Sequence, residues 1–279
     1  MADSQSGTGG KAGRFVGYVR LVDACREPGC PACRLVTQDS RRHLNAILYE
    51  QVTDPDTRRR LRASWGFCGW HAWMLLEVEN SPSGAAIIYE DLVRTVIDRL
   101  GRLSARSRRA AFVSLLPWLE PRSAPGRAPN LYRRRELCPV CESTAAAEQG
   151  YLQTLARFIG EPDLRLAYAS SDGLCAPHAV GAIEIVRDSA ELRELLDLTL
   201  QKWARVRDDL ASFIRKHDYR NTEPYTDADA TSYTRAFELL AGATGVFGND
   251  LHATVESIPR RRRRRGARGD AKRRATAAD

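Results

Sequence analysis

Lysine is scarce in this 279-residue chain: only four of its 43 basic residues are Lys and the remainder are Arg. An Arg excess of this kind, beside abundant Ala and Gly, follows from GC-rich coding as readily as from a function, so Arg content alone argues nothing. No apolar run approaches the ~20 residues that a membrane-spanning helix needs. Residues Met1 to Gly13 are rich in Gly and Ser and lack the apolar core of a secretory signal. These two absences lead us to expect a cytoplasmic protein with no membrane partner, in a compartment where cysteines stay reduced and spaced pairs serve metals more often than disulfides. Sustained alternation of β-branched and polar residues is also missing, which leaves strands without a strong candidate. There is no Gly-rich phosphate loop, no Ser-His-Asp order and no Glu-x-x-His pattern of a di-iron bundle. Paired carboxylates (Glu77/Glu79, Asp208/Asp209) fall among Arg on expected helices and read as solvated charge. An enzyme is therefore the least supported of the function classes.

What the chain has is a repeat. Gly29-Cys30-Pro31-Ala32-Cys33 and Gly66-Phe67-Cys68-Gly69-Trp70-His71 return as Leu137-Cys138-Pro139-Val140-Cys141 and Gly173-Leu174-Cys175-Ala176-Pro177-His178. The first pair is shifted by 108 and the second by 107, and together they use six of the seven cysteines. A fixed period marks one unit used twice. Each half offers three thiolates and one imidazole, the donor set of a closed tetrahedral structural site. The expected groupings are Cys30, Cys33, Cys68, His71 and Cys138, Cys141, Cys175, His178, one ion per half. Cys-Pro-x-Cys is expected to grip from a tight turn preset by Pro. Cys-x-x-His puts two ligands on one face of a starting helix, whose N-terminus favours thiolate. Zinc is the expected ion, two per chain. An iron–sulfur cluster is the competitor, although clusters are normally held by four thiolates.

Between the ligands the pattern is helical. Pro55 and Pro162 stand thirteen residues before the third cysteine of each half, and Asp54 can cap the helix that Pro55 opens. Ser83 is a candidate cap for a helix carrying Ile88, Leu92, Val96, Ile97, Leu100 and Leu103. Its counterpart is expected over 190–215, with a stripe of Leu192, Leu196, Trp203, Val206, Leu210 and Phe213. A further helix is expected over 230–241 and a weak one over 246–258. The resulting division is a disordered N-terminus (1–13), module 1 (14–106), a basic Pro-rich linker (107–131), module 2 (132–216), a helical extension (217–258) and a disordered Arg-rich tail (259–279). The fold class is all-α: two tandem similar helical modules, each pinned by a three-Cys one-His site.

The net charge of +8 is local. Pro259 to Asp279 holds ten Lys/Arg against two Asp, and Arg102 to Arg135 holds nine Arg against one Glu. The Arg260–Arg274 run is the candidate contact for nucleic acid or another polyanion; a solvated tail is the plainer reading. Cys25 stands outside the repeat and reads as a buried thiol, with a resolving thiol as the sharper alternative. Trp65, Phe67, Trp70 and Trp73 flank the first motif, either as packing around the thiolates or as a partner-binding patch. His43, His217 and His252 read as surface residues.

The doubled Cys-Pro-x-Cys … Gly-Phe/Leu-Cys-x-x-His pattern resembles a bacterial family of unknown function. The resemblance takes in Leu21-Val22-Asp23-Ala24 before the first motif and His217-Asp218-Tyr219-Arg220 after the last long helix, about residues 14–240. It departs in the linker and the tail. It implies the helical architecture and the metal sites and supplies no activity. Two function classes remain: a zinc-stabilised, non-catalytic interaction or adaptor protein, and a thiolate-based redox or metal sensor.

Overall fold

The computed structural model describes residues 8–78, 82–114 and 136–247, with side chains described over 16–78, 82–102 and 136–247. Ten α-helices and no strand occur among the described residues. They are α1 (Thr8–Ala24), α2 (Pro31–Tyr49), α3 (Pro55–Ser64), α4 (Gly69–Leu76), α5 (Pro82–Ser114), α6 (Pro139–Phe158), α7 (Pro162–Ser170), α8 (Ala176–Ile185), α9 (Ser189–Lys216) and α10 (Asp227–Ala241). None is long and apolar enough to cross a membrane. The expected Arg-rich tail, the stretch 115–131 of the linker and the weak helix beyond 247 lie outside the described residues.

Proline punctuates the fold. Pro31, Pro55, Pro139 and Pro162 each open a helix at its first positions, where the missing N–H has no partner to lose. Asp54 caps α3 as expected, accepting from the Thr57 N–H at 2.7 Å. Ser83 does not cap α5, because that helix already begins at Pro82. The N-terminal helix begins at Thr8, earlier than the expected start at 14.

The two cores do not follow the division of the chain into an N-terminal and a C-terminal module. One core joins Leu21, Ala24 and Leu35 to Tyr151, Leu155, Leu164, Tyr168, Leu174 and Leu195. The other joins Leu44, Ile47, Leu61, Phe67, Leu75 and Ile88 to Cys138 and Val140. Helix α2 therefore starts in the first core and ends in the second, while α6 starts in the second and ends in the first. The two helices pack against each other and run antiparallel. A polar knot ties the crossing: the Tyr151 hydroxyl donates to Asp39 at 2.6 Å, and Arg20 from α1 donates to the same carboxylate at 2.7 Å.

On α9 the buried face is Leu195, Thr199 and Lys202, not the expected apolar stripe, whose members are only half-buried. Burial of Lys202 is made tolerable by two carbonyl acceptors, Ala169 O at 2.9 Å and Ser171 O, which lie at the C-terminal end of α7. Helix α10 is held on α9 by an ion pair that is nearly sealed from solvent, Lys216 with Asp229 at 2.6 Å. Asp229 also completes a capping box with Thr226.

Candidate metal centres

All four sequence motifs form the starts of helices. Cys30, Cys68, Cys138 and Cys175 are the N-cap residues of α2, α4, α6 and α8. Cys-Pro-x-Cys is thus a helix first turn and not a free-standing tight turn: Pro at N1 fixes the entry, and the second cysteine falls on the same face one turn on. Gly66 and Gly173, one residue before each Phe/Leu, have φ of +83° and +82°, a backbone that only glycine enters without strain. These glycines turn the chain so that the following cysteine can cap its helix.

The structure gathers all eight predicted residues into two clusters, and it exchanges partners between the halves. Centre 1 is Cys30, Cys33, Cys175 and His178; centre 2 is Cys68, His71, Cys138 and Cys141. The expected grouping by halves is therefore corrected: each centre takes Cys-Pro-x-Cys from one half and Cys-x-x-His from the other. The reason is the crossing of α2 and α6, which carries each N-terminus to the far half. Donor atoms of each cluster lie within 4.8 Å of one another.

The spacing suits a tetrahedral ion. In centre 1 the Sγ atoms of Cys30, Cys33 and Cys175 lie 3.5, 3.3 and 3.2 Å from His178 Nδ1, and Cys33 lies 3.7 Å from Cys175. In centre 2, Cys68, Cys138 and Cys141 lie 3.2, 3.7 and 3.3 Å from His71 Nδ1, with Cys141 to Cys68 at 3.6 Å. A tetrahedron with zinc bond lengths has S–S edges of ~3.8 Å and S–N edges of ~3.6 Å. No cysteine is in a disulfide. Cys30 and Cys141 are half-buried; the other six donors are buried.

Electrostatics favour a cation at both points. Each cluster sits at two helix N-termini, which stabilise thiolate. Burial alone would lower the pKa of His178, yet its contacts with Cys175, Cys30 and Glu148 carry it up to about 11. His71 is likewise lowered by burial and raised by Cys138 and Cys68, to about 9. The cysteine contacts thus hold each imidazole charged, and the same donor set is one that could hold a metal ion.

The segment after α10 closes over these centres. The Ala243 N–H donates to Cys33 Sγ at 3.4 Å, and the Phe247 ring packs on His178 with centroids 4.9 Å apart. Gly242 permits this approach, since a Cβ there would stand 2.5 Å from the Phe247 ring. Gly245 and Val246 face a cavity of about 160 Å³ that also touches His71 and Cys141.

The remaining sequence candidates fall outside the clusters. Cys25 is buried in the first core as a packed thiol, and burial pushes it up to about 12. His43 is half-buried and held below its ordinary pKa by burial. His217 is exposed beside Phe213 and Tyr225, and His252 lies outside the described residues. Phe67 is buried and Trp70 half-buried near centre 2, Trp65 stacks under Arg99 at 4.4 Å, and Trp73 is 71% exposed. Glu77, Asp208 and Asp209 pair with Arg41, Arg207 and Arg235; Glu79 is outside the described residues. Sequence reasoning missed Ser40 and Glu148, whose side chains meet the outer nitrogens of His71 and His178. Their signal was present: they differ by the same 108 residues as the cysteines.

No solved structure matches this chain. A protein from Caldicellulosiruptor sp. (strain Rt8B.4), the uncharacterized 23.9 kDa protein in the xynA 3' region, is 26% identical over 224 residues, covering 80% of this chain and 99% of that relative. Residues 17–245, which hold every helix from the middle of α1 through α10 and all eight donors, match DUF6062, a family of unknown function, and the chain belongs to that family.

Proposed function

We propose that the protein is a non-catalytic, zinc-stapled helical scaffold whose two ions lock its crossed halves together and hold its outer helices for a protein partner. The observation that carries this reading is the closed donor set: each centre supplies four protein ligands, most of them buried, which leaves no coordination position for a substrate. Zinc fits better than an iron–sulfur cluster because each set includes an imidazole and encloses room for a single tetrahedral ion. Structural zinc of this kind contributes an apparent ~10–16 kcal/mol to folding in small peptides, and here it would act across the halves.

Metal analysis with a visible spectrum on the as-purified chain tests the reading, followed by chelation under circular dichroism. The expected result is a colourless protein with two zinc per chain that loses helical signal and protease resistance when the metal is removed. Absorbance near 400 nm would replace the scaffold with a cluster-based sensor. An unchanged helical signal after complete metal removal would end the structural-zinc reading.

A further inference from the structure

The crossing helices reach both centres. Ser40 stands seven residues beyond Cys33 on α2, and Glu148 stands seven beyond Cys141 on α6. Seven residues are two helical turns, ~10 Å along the axis. The helix that gives two thiols to one centre therefore meets the imidazole of the other. Ser40 Oγ lies 3.2 Å from His71 Nε2 in hydrogen-bonding geometry, while Glu148 Oε1 lies 3.2 Å from His178 Nε2 as an ion-pair contact whose N–H is not aligned on the carboxylate. In both rings Nδ1 faces the thiols, so with an ion held there Nε2 would carry the ring's proton. Ser40 Oγ donates onward to Val36 O at 2.9 Å, which leaves its lone pairs for His71. Equivalent positions thus present a neutral hydroxyl to one ring and a carboxylate to the other.

We propose that Glu148 and Ser40 are positioning residues that make the two centres unequal, so that centre 1 holds its ion the longer and centre 2 is the exchangeable one. The inference rests on the metal reading above. A carboxylate behind a metal-bound imidazole fixes the ring and strengthens it as a ligand, and losing such a partner typically costs about 10- to 100-fold in metal affinity. Its charge also attracts a doubly charged ion about twice as strongly as the single proton that competes for the same site, because the Coulomb energy scales with the charge. Access does not rank the centres, since each adjoins a cavity: about 210 Å³ beside Cys30 and Cys175, about 160 Å³ beside His71 and Cys141. Lys202 lines the larger one, but its ammonium is already engaged by Ala169 O and Ser171 O. The segment after α10 reaches both, with Ala243 and Phe247 at centre 1 and Gly245 and Val246 at the cavity beside centre 2.

The test uses the full chain carrying two zinc ions and follows their transfer to the chromophoric chelator 4-(2-pyridylazo)resorcinol. Two phases of one equivalent each are expected. Glu148→Gln should speed the slow phase about 10- to 100-fold and leave the fast one alone. Ser40→Ala should change only the fast phase. A general loss of stability would instead accelerate both phases, so phase selectivity separates positioning from folding, and circular dichroism checks that each variant is helical. Release of both equivalents in one phase, or a slow phase indifferent to Glu148→Gln, overturns the inference. A chain that takes up no zinc fails the metal reading itself, which is a different result.

Discussion

Cutting the chain between α5 and α6 separates crossed from in-register pairing. A specific protease site is placed between Glu120 and Asn130, a stretch containing Pro121, Pro125 and Pro129. After cleavage the N-terminal fragment carries Cys30, Cys33, Cys68 and His71, and the C-terminal fragment carries the other four donors. With the pairing seen here, neither fragment holds a complete centre, because each needs two donors from the other. If the centres hold zinc as proposed, parting the fragments would empty both, and sites of this kind contribute an apparent ~10–16 kcal/mol each in small peptides. It would also open both cores, which mix residues from the two fragments. Fragments at micromolar concentration stay together once their association exceeds ~8 kcal/mol, so a margin remains even if only one centre contributes fully. Gel filtration and native mass spectrometry should find a one-to-one fragment complex with two zinc ions that comes apart or unfolds under chelator. Two separate fragments, each retaining one zinc, would refute the crossed arrangement and restore the grouping by halves.

Gly173→Ala should destabilise the protein, since a Cβ there meets Lys202 Cδ at 2.4 Å and the left-handed backbone alone costs ~1–2 kcal/mol; thermal melting should show a drop of several degrees. Acid should loosen α10. The hydrogen bond from Lys216 and that from the Thr226 N–H hold Asp229 well below the usual carboxylate range. Its contribution is therefore complete above the unfolded pKa of ~4 and is lost as pH falls toward the folded value. The protection factors of the α10 amides, corrected for the intrinsic pH dependence of exchange, should fall on going from pH 7 to pH 3, and Asp229→Asn should remove that dependence by lowering protection at both pH values. Finally, if the Arg260–Arg274 run contacts a polyanion, removal of residues 259–279 should abolish binding to heparin or duplex DNA that weakens with salt; equal, salt-insensitive binding would take the tail out of the argument.

Much of the fold could be read because local chemistry dictates it. Proline at a first helical position, Asp54 before Pro55 and the three-and-four spacing of Ile88, Leu92 and Val96 all act within a turn or two of themselves. The eight cluster residues were legible for the same reason, since the two members of each pair stand three residues apart. The apolar stripe of α9 was misread because residue type stood in for burial. Leu195, Thr199 and Lys202 form the inward face, and Lys202 can lie there only because α7 ends with two free carbonyls beside it. Nothing in the spacing of α9 announces those acceptors.

Pairing of the donors lay beyond reach for a deeper reason. Exchanging the two Cys-Pro-x-Cys units between centres leaves every donor type, every spacing and every repeat offset unchanged, so the repeat that identifies the ligands also hides their partners. The choice is made by packing: Leu21 and Leu35 prefer the core of Leu155 and Tyr168, and that preference carries the start of α2 across to α8. The same crossing breaks the symmetry it creates. Because α2 and α6 each reach both centres, one substitution between equivalent positions, Ser40 against Glu148, suffices to give two identical donor sets different surroundings. Crossed pairing also means that neither half could be emptied alone: with ions bound as proposed, losing either one would free one ligating turn, with its two donors, in each half, so metal occupancy would be a property of the whole chain and of the helical surface it holds in place.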